Sequence, residues 1–166
     1  PQAIIASSGL PVRTLPELVD FARARPGQVN YGSAGAGTTP FFTMELLKRQ
    51  QKIDLTHVAY RGQPEVMTDL VRGDIGVTAM TVPLVIQHVQ SGRIKAPAVT
   101  SPARLPSLPQ VPTVAEQGMP GQAISNWFAL MGPANLPPDV VASLARALSE
   151  ALAAPEDQAG RNSAPA

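Results

Sequence analysis

The fold of this chain is decided by one stretch, which reads Asn30-Tyr31-Gly32-Ser33-Ala34-Gly35-Ala36-Gly37-Thr38-Thr39-Pro40. A short lead enters a turn of very small residues, and no further glycine or proline occurs after Pro40 until beyond Gln50. Glycine leaves the backbone open to close approach because it carries no side chain. The pattern predicts a strand that turns into a helix beginning near Thr38.

Such a turn favours an anionic ligand. The first N–H groups of a helix have no intrahelical acceptor, and the helix dipole places its positive end there. The hydroxyls of Ser33, Thr38 and Thr39 add further donors. The glycines are spaced G-x-x-G-x-G, and no lysine follows them, so the turn differs from nucleotide-binding loops. The sequence predicts a carboxylate site, and a strand-to-helix turn without a ligand is the alternative interpretation.

Strand and helix patterns alternate along the first part of the chain. The apolar run at residues 3–6 predicts a strand, and Thr14 with Glu17 forms a capping-box pattern at the start of a helix. After the glycine-rich turn, two more strand-helix units follow at residues 55–73 and 75–92. Four such units predict an α/β fold with a mostly parallel sheet flanked by helices.

The second part of the chain is less regular. Residues 96–100 predict a strand, which Pro97 places at an edge or a bulge of the sheet because proline lacks an N–H group. The remaining predictions are a short helix at 113–117, a strand at 123–130 and a helix that begins at Pro137-Pro138 and carries an apolar stripe.

Composition excludes several classes of function. The chain has 166 residues, of which 44% are hydrophobic, so it can form a core as one domain or as one domain with part of another. A net charge of +1 with scattered cations disfavours nucleic acid, and no apolar run is long enough to insert into a membrane. Cysteine is absent. Because the chain begins at Pro1 without a leader, we expect a fragment or a processed protein.

The residues that could support metal binding, serine catalysis or aromatic stacking are better explained by structural roles. His57 and His88 have no acidic or histidine partner at ligand spacing, so we predict no metal site and place both at the surface or at loop edges. Ser33 lacks a G-x-S-x-G motif and an evident base, which argues against a serine nucleophile. Trp127 and Phe128 are more typical of hinge or core packing than of ligand stacking.

Many short motifs occur in a fixed order between Leu10 and Leu152. They include Tyr31-Gly32-Ser33-Ala34-Gly35, His57-Val58, Tyr60-Arg61-Gly62, Gly73-Asp74-Ile75, Ser91-Gly92-Arg93 and Val111-Pro112-Thr113-Val114-Ala115-Glu116. Together they resemble the Bug family, the extracytoplasmic solute receptors of tripartite tricarboxylate transporters.

This resemblance implies a type II periplasmic-binding-protein, or Venus-flytrap, fold without enzymatic activity and without a cofactor. Two lobes would close on a small carboxylate and present it to the membrane permease subunits. Residues 1–125 correspond to the second ligand-binding lobe, residues 126–154 to the return strand and a helix of the incomplete first lobe, and residues 155–166 to a frayed tail. We expect a periplasmic location and self-association of the truncated chain.

The resemblance and the loops at the carboxyl ends of the predicted strands define one candidate site. The candidate ligand-binding residues are Ser33, Ala34, Gly35, Ala36, Gly37, Thr38, Thr39, Tyr60, Arg61, Met80 and Thr81. Family members often have histidine at the position of Phe41 and an aspartate in the loop where this chain has Met80 and Thr81. Met80 therefore indicates a ligand whose distal group is less polar.

Two other classes of function remain open from the sequence. One is an α/β enzyme that acts on a carboxylate or phosphate ester and uses the glycine-rich turn as its oxyanion site. The other is a ligand-sensing domain of a signalling system. The lack of a nucleophile, a base and a metal cluster favours a receptor over the enzyme, and neighbouring genes for membrane subunits would distinguish it from the sensor.

Overall fold

The computed structural model describes residues 1–124 and 129–153. The chain divides into two compact units, one within residues 1–126 and one within residues 127–166. The strands of the first unit are β1 (Gln2–Ser7), β2 (Asn30–Ser33), β3 (Thr56–Ala59), β4 (Val77–Thr81) and β5 (Ile94–Val99). Its helices are α1 (Leu15–Arg23), α2 (Thr39–Gln51), α3 (Gln63–Arg72) and α4 (Ile86–Gln90), with 3₁₀ turns at Val82–Leu84 and Pro120–Gln122.

The five strands form one sheet in the order β3-β2-β4-β1-β5. Strand β2 is parallel to β3 and β4, whereas β1 is antiparallel to both β4 and β5. The α/β class is confirmed, but the sheet is mixed rather than mostly parallel. All six residues of β1 are buried, and a continuous apolar run of this kind does not reveal the direction of a strand.

The direction of β1 determines what meets at one edge of the sheet. Strands β2, β3, β4 and β5 all end at this edge, and β1 begins there, because β1 runs against its two neighbours. The predicted edge position of the Pro97 strand is confirmed, since β5 is the last strand in the order. The loops that were predicted to carry the ligand site therefore follow three adjacent strands.

The core of the first unit lies between the sheet and helices α1 and α2. The largest buried side chains of this cluster are Ile4, Leu15, Leu18, Tyr31, Met44, Leu47 and Leu55. The predicted capping box at the start of α1 is confirmed, because the Glu17 N–H donates to Thr14 Oγ1 at 3.3 Å and the Thr14 N–H donates to Glu17 Oε2 at 3.3 Å. The helix predicted to begin near Thr38 is α2.

The predicted helix at residues 113–117 is wrong. Thr113 forms a bridge with Val99, and the Val114 N–H donates to the Val99 carbonyl oxygen at 2.9 Å. The Thr113 and Glu116 side chains do form the reciprocal hydrogen bonds of a helix start, but Gly118, at φ 79°, ends the segment after one turn. The segment is therefore a single turn beside β5 and not a helix.

In the part of the second unit that the structure describes, residues 129–153, lies the helix α5 (Pro138–Ala153), as the apolar stripe predicted. The predicted strand at 123–130 falls partly outside the described residues. Residues 123, 124, 129 and 130 are not in a strand, and residues 125–128, which include Trp127 and Phe128, are not described. The predicted tail at 155–166 also lies outside the described residues.

Candidate functional site

The loop between β2 and α2 has an open backbone. Gly35 and Gly37 adopt left-handed φ angles of 103° and 91°, which side-chain-bearing residues adopt at a cost. A Cβ atom on either glycine would meet no heavy atom within 4 Å. Ala36 and Gly37 are exposed, and the flanking residues of the loop are half-buried. None of the described residues therefore covers the outer surface of the loop.

Several amide groups at the start of α2 have no acceptor. Thr38 is the N-cap residue, but its Oγ1 donates to the Gly35 carbonyl oxygen at 2.8 Å instead of capping the helix. The Phe42 N–H donates to the Thr38 carbonyl oxygen at 3.0 Å. Within the described residues, no acceptor is found for the N–H groups of Ala36, Gly37, Thr39 and Phe41. Together with the helix dipole, these groups form a donor set suited to a small anion.

Ser33 lies beneath this loop and contacts a histidine. The Ser33 Oγ accepts a hydrogen bond from the Gly35 N–H at 3.2 Å and lies 2.7 Å from His57 Nε2. The parallel register of β2 and β3 places His57 opposite Tyr31, and the two rings stack with centroids 4.8 Å apart. Phe41 contacts the same imidazole edge-on at 5.0 Å.

The sequence placed His57 at the surface or at a loop edge, whereas in the structure it is half-buried in strand β3 and contacts Ser33. The expectation that Ser33 has no nearby base is also corrected. The two residues are 24 positions apart, and only the pairing of β2 with β3 brings them together. A histidine in a predicted strand next to the glycine-rich strand was the available signal.

A buried tyrosine supports the site from the core. The Tyr31 hydroxyl donates to Glu45 Oε1 at 2.6 Å, and Lys48 Nζ donates to the same oxygen at 2.9 Å. Burial and the neighbouring carboxylate raise the pKa of Tyr31 well above its ordinary value. Burial acts to raise the pKa of Glu45, but the hydrogen bonds from Tyr31 and Lys48 outweigh this effect and hold the pKa below its ordinary value.

A backbone hydrogen bond joins the loop after β3 to Ser33. The Tyr60 N–H donates to the Ser33 carbonyl oxygen at 2.9 Å. The Tyr60 hydroxyl donates to Asp69 Oδ2 at 2.8 Å, and burial together with this bond raises the pKa of Tyr60 to about 12. Arg61 is exposed, and its N–H donates to Glu65 Oε2 at 3.1 Å. Tyr60 thus ties β3 to α3, while Arg61 leaves its guanidinium at the surface.

Met80 and Thr81 point to opposite faces of β4, as neighbouring residues of a strand do. Met80 is 2% exposed and lines a cavity of about 500 Å³ between α3 and the segment that carries Leu84 and His88. None of residues 33–39 lines this cavity. Thr81 is half-buried, and its Oγ1 accepts a hydrogen bond from Gln2 Nε2 at 3.3 Å. The structure brings Thr81, but not the Met80 side chain, to the edge that carries the glycine-rich loop.

Two polar residues at this edge were not anticipated. Gln2 begins β1 and is fully buried, and its N–H donates to Thr100 Oγ1 at 2.9 Å. Its Oε1 atom is buried without a hydrogen-bond partner among the described residues. No sequence signal pointed to this pair, because the antiparallel insertion of β1 beside β5 was not predicted.

Residues 1–124 and 129–153 contain no group of three or more histidine, cysteine, aspartate or glutamate side chains placed to hold a metal ion. Nor do they include a helix with the length and apolarity needed to cross a membrane.

The first unit is thus an α/β sheet with helices, and an open glycine-rich turn with unpartnered amide groups lies at one edge of the sheet. The chain belongs to the tripartite tricarboxylate transporter family receptor group, TctC, whose model matches residues 1–159. This assignment agrees with the resemblance to Bug proteins found in the sequence motifs.

Curated relatives match nearly the whole chain. The chain is 34% identical over 157 residues to the UPF0065 protein in the tcbD-tcbE intergenic region of Pseudomonas sp. (strain P51), covering 94% of this chain and 47% of the relative. It is 30% identical over 152 residues to Protein BugT of Bordetella pertussis, and the match covers 92% of this chain and 47% of BugT. The chain thus spans about half the length of these relatives.

Solved structures show the same fold. MatC (Rpa3494) from Rhodopseudomonas palustris, solved with bound malate, matches with a TM-score of 0.87 and 28% identity, over 96% of this chain and 54% of MatC. R. palustris Rpa4515, solved with adipate, matches with a TM-score of 0.85 and 30% identity, over 95% of this chain and 52% of that protein.

Proposed function

We propose that this protein is a periplasmic solute receptor that binds a small carboxylate and delivers it to the membrane permease of a tripartite transporter. The observation that carries the proposal is the set of unpartnered N–H groups at Ala36, Gly37, Thr39 and Phe41, next to an open glycine-rich surface. A carboxylate offers only acceptors, so it complements these unpartnered donors.

The proposal includes a dicarboxylate as the ligand class. The two solved structures described above hold malate and adipate, which both carry a carboxylate at each end. One carboxylate would occupy the loop at residues 33–39, and the other would face the second half of the receptor. Arg61 and Thr81 are the polar side chains proposed to border the site, and Tyr60 would contribute only after its bond to Asp69 is exchanged.

We further propose that residues 1–125 are one lobe of the receptor and that residues 126–154 belong to the other. The bound acid would then favour a closed state of the two lobes, because only the closed state provides donors to both ends of the ligand. The contact between Ser33 and His57 does not support an enzyme, since the family is one of transporter receptors.

Calorimetry on the chain with malate, adipate and their dimethyl esters tests the proposal. We expect at least one free acid to bind, and the corresponding ester to bind roughly 10-fold to 100-fold more weakly, because the ester cannot form charge-assisted hydrogen bonds. Each ester keeps the carbon skeleton of its acid and therefore serves as the matched control. Equal binding of acid and ester, or no binding of either acid, would contradict the proposal.

The exposed face of α5 leads to a proposal on self-association. The apolar side chains of this helix that are between 37% and 49% exposed include Val140, Val141, Leu144 and Leu148. We propose that a second copy covers this stripe in solution, because burial of such a surface is favourable. Light scattering should then show a mass that rises above the monomer with concentration, and a strictly monomeric profile would exclude it.

A further inference from the structure

We propose that His57 is a positioning residue that acts through Ser33 to hold the glycine-rich loop with its amides facing outward. The inference rests on the proposed function, because it explains how the same carboxylate site is kept in its binding shape. His57 itself would not touch the ligand.

The Gly35 carbonyl oxygen is the point to which the loop is tied. Thr38 Oγ1 donates to it at 2.8 Å, the Thr38 N–H donates to it at 3.4 Å, and the Ser33 Oγ lies 3.4 Å away. These donors hold the negative end of the Gly35 peptide inside the loop. An anion at the outer surface therefore meets N–H groups and not this carbonyl oxygen.

The Ser33 hydroxyl can donate to the Gly35 carbonyl oxygen only if its other hydrogen bonds leave its proton free. A hydroxyl has one proton to donate and two lone pairs that accept. The Gly35 N–H occupies one lone pair at 3.2 Å, and His57 Nε2 lies 2.7 Å from the oxygen. If Nε2 carries a proton, it fills the second lone pair, and the hydroxyl proton is left for the Gly35 carbonyl oxygen.

If Nε2 carried no proton, the hydrogen bond between Ser33 and His57 would run in the opposite direction. The Ser33 proton would then point to His57, because 2.7 Å is far shorter than the 3.4 Å to the Gly35 carbonyl oxygen. The carbonyl oxygen would lose one of its donors, and the loop would be held less firmly. Both the neutral tautomer with a proton on Nε2 and the imidazolium satisfy the binding arrangement.

The imidazole is held in place independently of its nitrogen atoms. Tyr31 stacks on one face at a centroid distance of 4.8 Å, and Phe41 contacts it edge-on at 5.0 Å. A His57→Phe variant therefore keeps an aromatic ring between these neighbours and removes only the nitrogen atoms. This separates the hydrogen bond from ring packing.

Three measurements test the inference. Nitrogen-15 NMR of the wild-type side chain should show a proton on Nε2 of His57, and amide hydrogen exchange at Gly35 should speed up in His57→Phe. Malate affinity should fall about 3-fold to 10-fold in His57→Phe, the range of one neutral hydrogen bond, and a His57→Gln variant should recover part of it through its amide N–H.

His88→Phe is the matched control, because His88 lines the cavity beside α3 and not the loop. This variant should leave both malate affinity and Gly35 exchange unchanged. An unprotonated Nε2, or unchanged Gly35 exchange in His57→Phe, would overturn the inference. The NMR arm needs no ligand, so it decides the role of His57 even if malate fails to bind, a result that would contradict only the proposed function.

Discussion

Replacing Gly35 by alanine is expected to lower the affinity for malate by about ten-fold or more. The residue adopts a φ of 103°, where a Cβ atom introduces backbone strain of about 1 to 3 kcal/mol. The new methyl group would meet no protein atom within 4 Å and would stand on the open surface beside the unpartnered amides. Both effects act against a carboxylate at the same place, and calorimetry of the variant measures their sum.

Gly92→Ala is the control for backbone strain. Gly92 also has a left-handed φ, 71°, and a Cβ atom on it would also meet nothing within 4 Å. It lies in the turn between α4 and β5, away from the loop at residues 33–39. Gly92→Ala should lose stability to a similar degree and keep its affinity for malate. If the two variants bind malate equally well, the loop is not the ligand site.

Replacing Tyr31 by alanine is expected to have the largest effect on stability, a loss of about 3 to 5 kcal/mol in the free energy of unfolding. The side chain is fully buried, stacks on His57, contacts Phe41 with ring centroids 6.5 Å apart and donates to Glu45. Its removal leaves a cavity and deprives the imidazole of its support. Urea denaturation monitored by circular dichroism measures the loss.

Tyr31→Phe isolates the hydroxyl and makes a prediction about pH. The folded chain holds the pKa of Glu45 below its ordinary value, so the stability that this carboxylate contributes is present above the ordinary pKa and is lost as pH falls through the lowered one. Without the Tyr31 hydroxyl, the pKa is lowered less, and the acid-induced loss of stability should be smaller. Equal acid-induced losses in wild type and Tyr31→Phe would show that this bond does not shift Glu45.

The local parts of the fold were predictable because neighbouring residues determine them. The Thr14 and Glu17 side chains form their capping box within the first turn of α1, and the glycines before Thr38 disfavour an earlier start of α2. The segment at Thr113 shows the limit of this reasoning. Its side chains favour a helix start, but pairing with Val99 takes the Val114 N–H into the sheet.

The non-local parts of the site could not be predicted from sequence patterns. The glycine-rich loop at residues 33–39 is contiguous, and its glycines indicated an open backbone. The contact of Ser33 with His57 depends on the pairing of β2 with β3, and the burial of Gln2 beside Thr100 depends on the direction of β1. A fully buried strand has the same hydrophobic pattern in either direction. The pattern therefore cannot predict whether the strand pairs in parallel or antiparallel with its neighbours.

The most direct test of the carboxylate loop is a malate titration of the nitrogen-15-labelled chain followed by amide NMR. The N–H signals of Ala36, Gly37, Thr39 and Phe41 should move downfield together and saturate, because each gains an acceptor, whereas dimethyl malate should leave them in place. Saturable shifts confined to the cavity beside α3, such as those of Met67 and Leu84, with these four amides unchanged, would contradict the assignment of the loop as the ligand site.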